Sequence, residues 1–475
     1  MENPRTQETR AGWWAGALRL SHRASLGLLV LVGIWLLLFV RSPRLDHGDR
    51  TVLTMWQVRG SEDVDPPVPQ WFNESQDQVH VNAVGLPFME IEQKFLTAAV
   101  GKIPPDLFEY FGSVAQWSTR GALMPLDEFM ERDGFDRDAI FPALWEEMKW
   151  DGRTFAVPTG SANEAFYWNK EHFRAAGLDP ERPPRTWREL EEFAVKLTTH
   201  DDQGNILQAG YIPGYWSPFP TPLFLNWPVQ LGARFLSEDG TRVSLAQPAA
   251  IEALDWEGRL FERLGREALM RRRSSFGFGP QHGFISGQLS MIVHKSSFPE
   301  EIEKDAPNLD YGVAPLPIPD GGRQAVIAGS VWIGIPAGAR NPEAAWEFIK
   351  FYASAPVQAR NARFAAEMDL AAFFPANIQA ANSGFQQSLP HMDVFVDSMA
   401  FAHPSTVVPL AHTQFWRAYQ TAWDGVMRGQ IPAKEALMQA EREVQRALDQ
   451  QLEYNRFYAD HLDRRETARA KTGGK

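Results

Sequence analysis

Cysteine is absent from this chain. Its absence excludes disulfides, thiol catalysis, zinc-thiolate sites and iron-sulfur clusters together, and also an N-terminal cysteine that could carry a lipid. Long apolar runs are nearly absent too. The exception is Ala24 to Val40, seventeen residues without a charge between Arg23 and Arg41. That length is at the lower limit for crossing a bilayer and is long for a signal-peptide core. The segment that follows, Phe39-Val40-Arg41-Ser42-Pro43-Arg44, offers no small-residue cleavage pattern, so the run reads as an uncleaved signal anchor. Arginines lie on both sides of it and fix no orientation. An excess of positive charge is also missing: the formal net charge is -12, and Arg271-Arg272-Arg273 is too short to offset it, which excludes a nucleic-acid partner. There is no His-Glu-x-x-His, no Walker loop, no Gly-x-Ser-x-Gly and no His/Asp group at metal-ligand spacing, so neither a catalytic centre nor a metal or other cofactor is expected.

What remains is a chain of 475 residues, enough for two packed domains. Aromatic residues make up 12 %, including 17 tryptophans, which supplies flat apolar faces of the kind that stack on sugar rings as well as filling cores. Residues 41–50 read as a polar tether, and the ordered body begins at Thr51 with an alternating strand, Thr51 to Trp56. A second strand is expected over Val79 to Val84, a helix over Ile91 to Val100 and a third strand from Ile103 to Phe108. Strand-helix-strand order implies a parallel sheet. The alternation continues with helices over Trp187 to Leu197, Ala249 to Leu264 and Pro342 to Ala353, and a strand over Leu289 to Val293. From Leu410 onward the pattern is helical, with a polar tail over Ala468 to Lys475. The fold class is α/β. Carboxylate pairs such as Glu146-Glu147 and Glu191-Glu192 read as solvated helix faces.

The middle of the chain is the most telling. An Asp151-Gly152 turn leads into Phe155-Ala156-Val157-Pro158, then Glu164-Ala165-Phe166-Tyr167-Trp168, after which Asn169-Lys170 opens a helix. Before it stand Pro105-Asp106-Leu107 with Pro125-Leu126-Asp127, and after it Phe284-x-x-Gly287-Gln288-Leu289-Ser290-Met291, Gly329-Ser330-Val331-Trp332, and Phe415-Trp416 with Gly429-Gln430. The order of these segments resembles that of the sugar-binding extracellular solute-binding proteins that feed ABC importers, the maltose-binding-protein-like branch, from Thr51 to about Gln451. The departure is Gln288, where that family often has lysine. The resemblance implies a two-lobed, hinge-linked periplasmic-binding-protein fold of type II behind the anchor. The lobes are expected at 51–165 with 329–372, and at 166–328 with 373–475, after a short N-terminal segment 1–23, an anchor 24–40 and a linker 41–50. Three crossings are expected, near Glu164 to Tyr167, Ile327 to Trp332 and Ala372 to Pro375.

Open α/β sheets bind ligands beyond the carboxyl ends of their strands. A pyranose offers an apolar face to aromatic rings and a rim of hydroxyls to polar side chains. Trp56, Phe88, Phe111, Trp216, Trp227, Trp332 and Trp416 are the expected faces, and Asp106, Asn163, Glu164, His294 and Ser330 the polar contacts. The implied function is capture of a mono- or oligosaccharide by a monomer held at the membrane through its N-terminal helix, outside the cytoplasm. Delivery goes to the transmembrane subunits of an ABC permease and, indirectly, to their ATPase. The alternatives are a sugar receptor of the same fold without transport, and a membrane-anchored glycosidase built around Asn163-Glu164.

Overall fold

The computed structural model describes residues 48–59, 67–215, 225–368, 373–405 and 407–472. The expected anchor at 24–40 lies outside them, and so does Trp216. Among the described residues no helix is long and apolar enough to cross a membrane.

From Thr51 onward the chain is one compact unit. Strand β1 (Thr51–Arg59) and β2 (Val79–Pro87) are joined through helix α1 (Val68–Ser75), whose Pro69 sits in the first turn, where a missing N–H costs nothing. Helix α2 (Phe88–Val100) leads to β3 (Leu107–Phe111), and β1, β2 and β3 are parallel as expected. Short helices precede the Asp151-Gly152 turn, among them α3 (Ala115–Ser118) and α4 (Pro142–Glu147), with a further one over Asp127–Asp133 between these two. Both turn residues have positive φ, 48° and 73°, the twist a two-residue hairpin needs.

Strand β4 (Ala156–Asn169) then runs for 14 residues, all of them buried. Asn169 ends it and caps α5 (Lys170–Ala175), its side-chain oxygen accepting from the His172 N–H at 3.0 Å. The next elements are α6 (Trp187–Leu197), β5 (Ile206–Tyr211), α7 (Asn226–Gln230), α8 (Pro248–Arg263), β6 (Leu289–Lys295), α9 (Phe298–Asp305) and β7 (Tyr311–Ala314). After these, β8 (Val326–Gly334) returns antiparallel to β4, followed by α10 (Pro342–Ala353) and α11 (Ala355–Glu367). The chain ends through β9 (Phe374–Pro375), α12 (Ile378–Ala381), α13 (Met392–Ser398), β10 (Ala402–Pro404), α14 (His412–Met427) and α15 (Ala433–Thr472).

Two strands serve both halves of the sheet. The amino end of β4 lies beside β8 in the order β2-β1-β3-β8-β4, and its carboxyl end lies between β7 and β6 in the order β7-β4-β6-β5. In the first half β8 is the antiparallel member; in the second half β4 is. The carboxyl ends of β1 and β3 therefore face those of β5, β6 and β7 across the passages made by β4 and β8. Register between β4 and β8 slips where Val331 faces Gly160 and Trp332 faces Pro158, which leaves Thr159 as the extra residue of a bulge beside a proline.

The third passage is not at Ala372 to Pro375. Phe374 and Pro375 pair with Ser161 and Gly160, and the chain then turns back onto the first half, where Asn377 takes Gln358 Oε1 at its N–H and Phe141 N–H donates to Ala376. The chain leaves that half later, as α13 packs on β4 and β10 pairs with Val326–Ala328 of β8. The boundary at 373 is implied by the resemblance alone, and no local signal in Phe374-Pro375 shows which half they join.

Candidate functional site

At the first edge Trp56 is half-buried on β1, opposite Val84 and Phe108. Phe88 opens α2 at 47 % exposure and stacks on Phe111 at 5.2 Å, with Tyr110 beyond at 6.4 Å. The Tyr110 hydroxyl donates to Glu92 Oε1 at 2.7 Å, and burial pushes its pKa well up. An exposed ring supported by a second ring is an apolar platform ready for a flat partner. Trp332 is not part of that platform: it is fully buried against Phe108 and Tyr110, and its indole N–H donates to Gly112 O, fixing the loop beyond β3 from beneath. Asp106 is at the wrong end of β3. It precedes the amino end, its carboxylate accepting from Thr54 N–H at 3.0 Å while its own N–H donates to Thr54 O, so it ties β3 to β1.

At the second edge His294, near the end of β6, stacks on Phe298 at 3.7 Å and meets His282 edge-on at 5.6 Å. Tyr215, beyond the end of β5, stacks on His282 at 5.3 Å, and burial pushes its phenol to about 12. Tyr215 immediately precedes the expected Trp216. His282 was not foreseen, because it follows a short 3-10 turn, Gly279–Gln281, in a stretch without periodicity. Trp227 is a core residue: it is 2 % exposed and meets Trp187 at 5.8 Å and Trp256 at 5.4 Å. Beneath these rings the buried Glu257 accepts from Trp423 Nε1 at 3.0 Å and is also hydrogen-bonded by Trp227; desolvation raises its pKa to about 8 despite both bonds. Trp416 is half-buried one turn into α14, beside Phe415 and His412. Burial lowers His412 to about 4, so that ring is neutral at physiological pH. The start of α14 is brought to the first edge by Ser113 Oγ, which donates to Pro409 O at 3.3 Å.

Between the edges the passages carry polar groups. Asn163 Nδ2 donates to Phe395 O at 2.8 Å, tying β4 to α13. Glu164 is 5 % exposed, and desolvation raises its pKa to about 7, opposed by Lys295 and by Asn226. Asn226 Nδ2 approaches Glu164 Oε2 at 3.4 Å while its Oδ1 accepts from Ile327 N–H at 2.7 Å, so α7 is joined to β8 and held close to β4. On the opposite side Glu147, expected on a solvated face, is 4 % exposed. Its Oε2 accepts from Ser330 Oγ at 3.0 Å, and its Oε1 accepts from Ser405 N–H at 2.7 Å and from the Ser405 hydroxyl. Asn163, Glu164 and Ser330 thus come together at the passages, bonded to protein groups. Trp56, Phe88 and Phe111 form one edge and His294 the other. Among the described residues no group of three or more His, Asp or Glu could hold a metal ion.

Residues 60–359 match the model of the bacterial extracellular solute-binding protein family. The chain belongs to that family. Among curated relatives, the sn-glycerol-3-phosphate-binding periplasmic protein UgpB of Rhizobium meliloti is 27 % identical over 337 residues, 67 % of this chain and 74 % of the relative. UgpB of Brucella melitensis is 26 % identical over 301 residues, 61 % of this chain and 67 % of the relative. Among solved structures, the sugar-binding protein MalE from Xanthomonas citri superposes with a TM-score of 0.69 at 18 % identity, covering 84 % of this chain and 98 % of its own. CpMnBP1 with mannotriose bound gives 0.68 at 22 % identity, covering 83 % of this solute-binding protein and all of the other. The cyclic alpha-maltosyl-1,6-maltose binding protein from Arthrobacter globiformis also gives 0.68, at 21 % identity and 84 % and 99 % coverage. These likenesses establish the two-lobed α/β fold. The family is one of binding proteins, which removes the glycosidase alternative.

Proposed function

We propose that this solute-binding protein captures a carbohydrate between its lobes and delivers it to an ABC importer, held at the outer face of the membrane through residues 24–40. The observation that carries the ligand class is the exposed Phe88 ring stacked on Phe111 at one carboxyl edge, facing the Tyr215, His282 and His294 cluster at the other. Aromatic faces cover the apolar side of a sugar ring, and polar tips reach its hydroxyls. Sugars held by structural neighbours of the same fold support the class. In this reading Trp56, Phe88, Phe111, Trp216, His294 and Trp416 touch ligand. Asn163, Glu164 and Ser330 position the lobes instead. The first lobe comprises 51–162 with 331–388, and the second 165–326 with the chain from Ala402 on; closure turns about the passages between them.

A second reading is sn-glycerol 3-phosphate, favoured by what the curated relatives are described as binding. Thermal unfolding of the chain from Asp46, screened against mono- and oligosaccharides, glycerol 3-phosphate, amino acids and polyamines, separates the two. A concentration-dependent rise of the midpoint with a saccharide, about 2.7 kcal/mol at a hundred times Kd, supports the proposal. A rise with glycerol 3-phosphate alone replaces it with the second reading, and a rise with neither overturns both.

A further inference from the structure

Glu147 has no place in the ligand edges, yet it is a buried carboxylate at the passages. Removing it from water is unfavourable unless hydrogen bonds replace the lost solvation. The replacements come from two stretches of chain: Ser330 on β8, and Ser405 just after β10. The Ser405 N–H is shared, also donating to Ala328 O at 3.1 Å. Glu147 itself ends α4, which packs on β4, β8 and β10. Past Ser405 the chain enters α14 and α15, which pack on α8 in the second lobe. One carboxylate of the first lobe therefore holds both the crossing strand and the start of the segment leading to the second lobe's last helices.

We propose that Glu147 is a positioning residue that sets the equilibrium between lobe arrangements, and through it ligand affinity, without touching ligand. The affinity part rests on the function proposed above; the lobe equilibrium does not. The physical basis is that three charge-assisted hydrogen bonds to one buried oxygen pair favour the arrangement in which Ser330, Ser405 and α4 converge. An arrangement that pulls Ser405 away gives up two of these hydrogen bonds at a buried carboxylate. Affinity follows because the apparent Kd scales inversely with the fraction of molecules in the binding-competent arrangement.

The absence of cysteine makes the test direct. Cysteines introduced at the exposed Glu131 and Glu267, one in each lobe, are the sole labelling sites, and spin labels on them report the interlobe distance distribution without ligand. Glu147→Gln cannot accept three hydrogen bonds in the same geometry, and Ser405→Ala removes one of them. Both are expected to broaden or shift the distribution, while Tyr352→Phe, which removes a buried bond to Glu109 within the first lobe, lowers stability and leaves the distribution unchanged. If Glu147→Gln does not fold, Ser405→Ala decides. Parental distributions in the folded variants overturn the proposal, and so does a shift of equal size in Tyr352→Phe. A chain that binds no saccharide still yields this result, so failure of the ligand assignment and failure of the Glu147 role are told apart.

Discussion

The tryptophans at the centres of the two lobes differ in what their indole N–H groups meet. In the first lobe Trp332 donates to a backbone carbonyl, Gly112 O, inside an all-aromatic setting of Phe108 and Tyr110. In the second lobe Trp423 and Trp227 donate to Glu257, a carboxyl with a raised pKa among stacked rings. Both arrangements satisfy the indoles, as burial requires. They differ in their response to protons: the Trp332 site holds no carboxyl and its one phenol, Tyr110, is pushed well up, whereas the Glu257 site keeps its packing most cheaply when the carboxyl is neutral.

The widest contrast comes from cutting each centre out. Trp332→Ala should cost about 3–5 kcal/mol of stability by denaturant unfolding, with a cost that does not depend on pH. Trp227→Ala should cost a similar amount and also carry the fall in stability to higher pH, because losing its bond to the Glu257 carboxylate raises the folded-state pKa further. A pH-independent cost at Trp227 would erase the distinction between the lobes.

Next in size is the pH effect itself. The folded-state pKa of Glu257 is about 8, above the ordinary carboxylate value, so its contribution is full below the ordinary range, declines as pH rises through about 8 and is flat beyond. Between pH 5 and 8 Glu257 alone should cost the parent about 3 kcal/mol, and Glu164, raised to about 7, adds to the same slope. Glu257→Gln should flatten most of that slope when unfolding midpoints are compared across pH. An unchanged slope would place the titration elsewhere.

Smaller effects sharpen the contrast between edges and cores. Phe88→Ala and Trp416→Ala should weaken ligand binding by about 1–2 kcal/mol in calorimetry, with little change in stability for the exposed Phe88. Asp106→Asn should leave affinity untouched and cost about 1 kcal/mol of stability through the bond to Thr54. A loss of affinity there would return Asp106 to the site.

The parallel strands, the Asp151-Gly152 turn and the helices at Trp187 and Pro342 were legible because period, caps and turn residues act locally. The placement of Phe88, Phe111 and His294 beside strand carboxyl ends was legible for a similar reason, since a strand's end can be read from its own residues. The tryptophans could not be sorted that way. Trp332 and Trp56 both sit in alternating strands, and only the neighbours brought by distant segments bury one fully and the other by half. Glu147 was the clearest miss: beside Glu146 at the end of a short helix it reads as solvated, and its partners Ser330 and Ser405 lie far along the chain.

The position of β8 also bears on how the molecule comes into being. It sits between β3 and β4 in the first sheet, yet the ribosome makes it only after the whole of 170–325. Until then the first sheet lacks the strand with which both β3 and β4 pair. It cannot close early, because the missing strand arrives with the far lobe attached. Synthesis thus leaves a long interval in which the chain remains incompletely folded, and completion of either lobe must wait for most of the other.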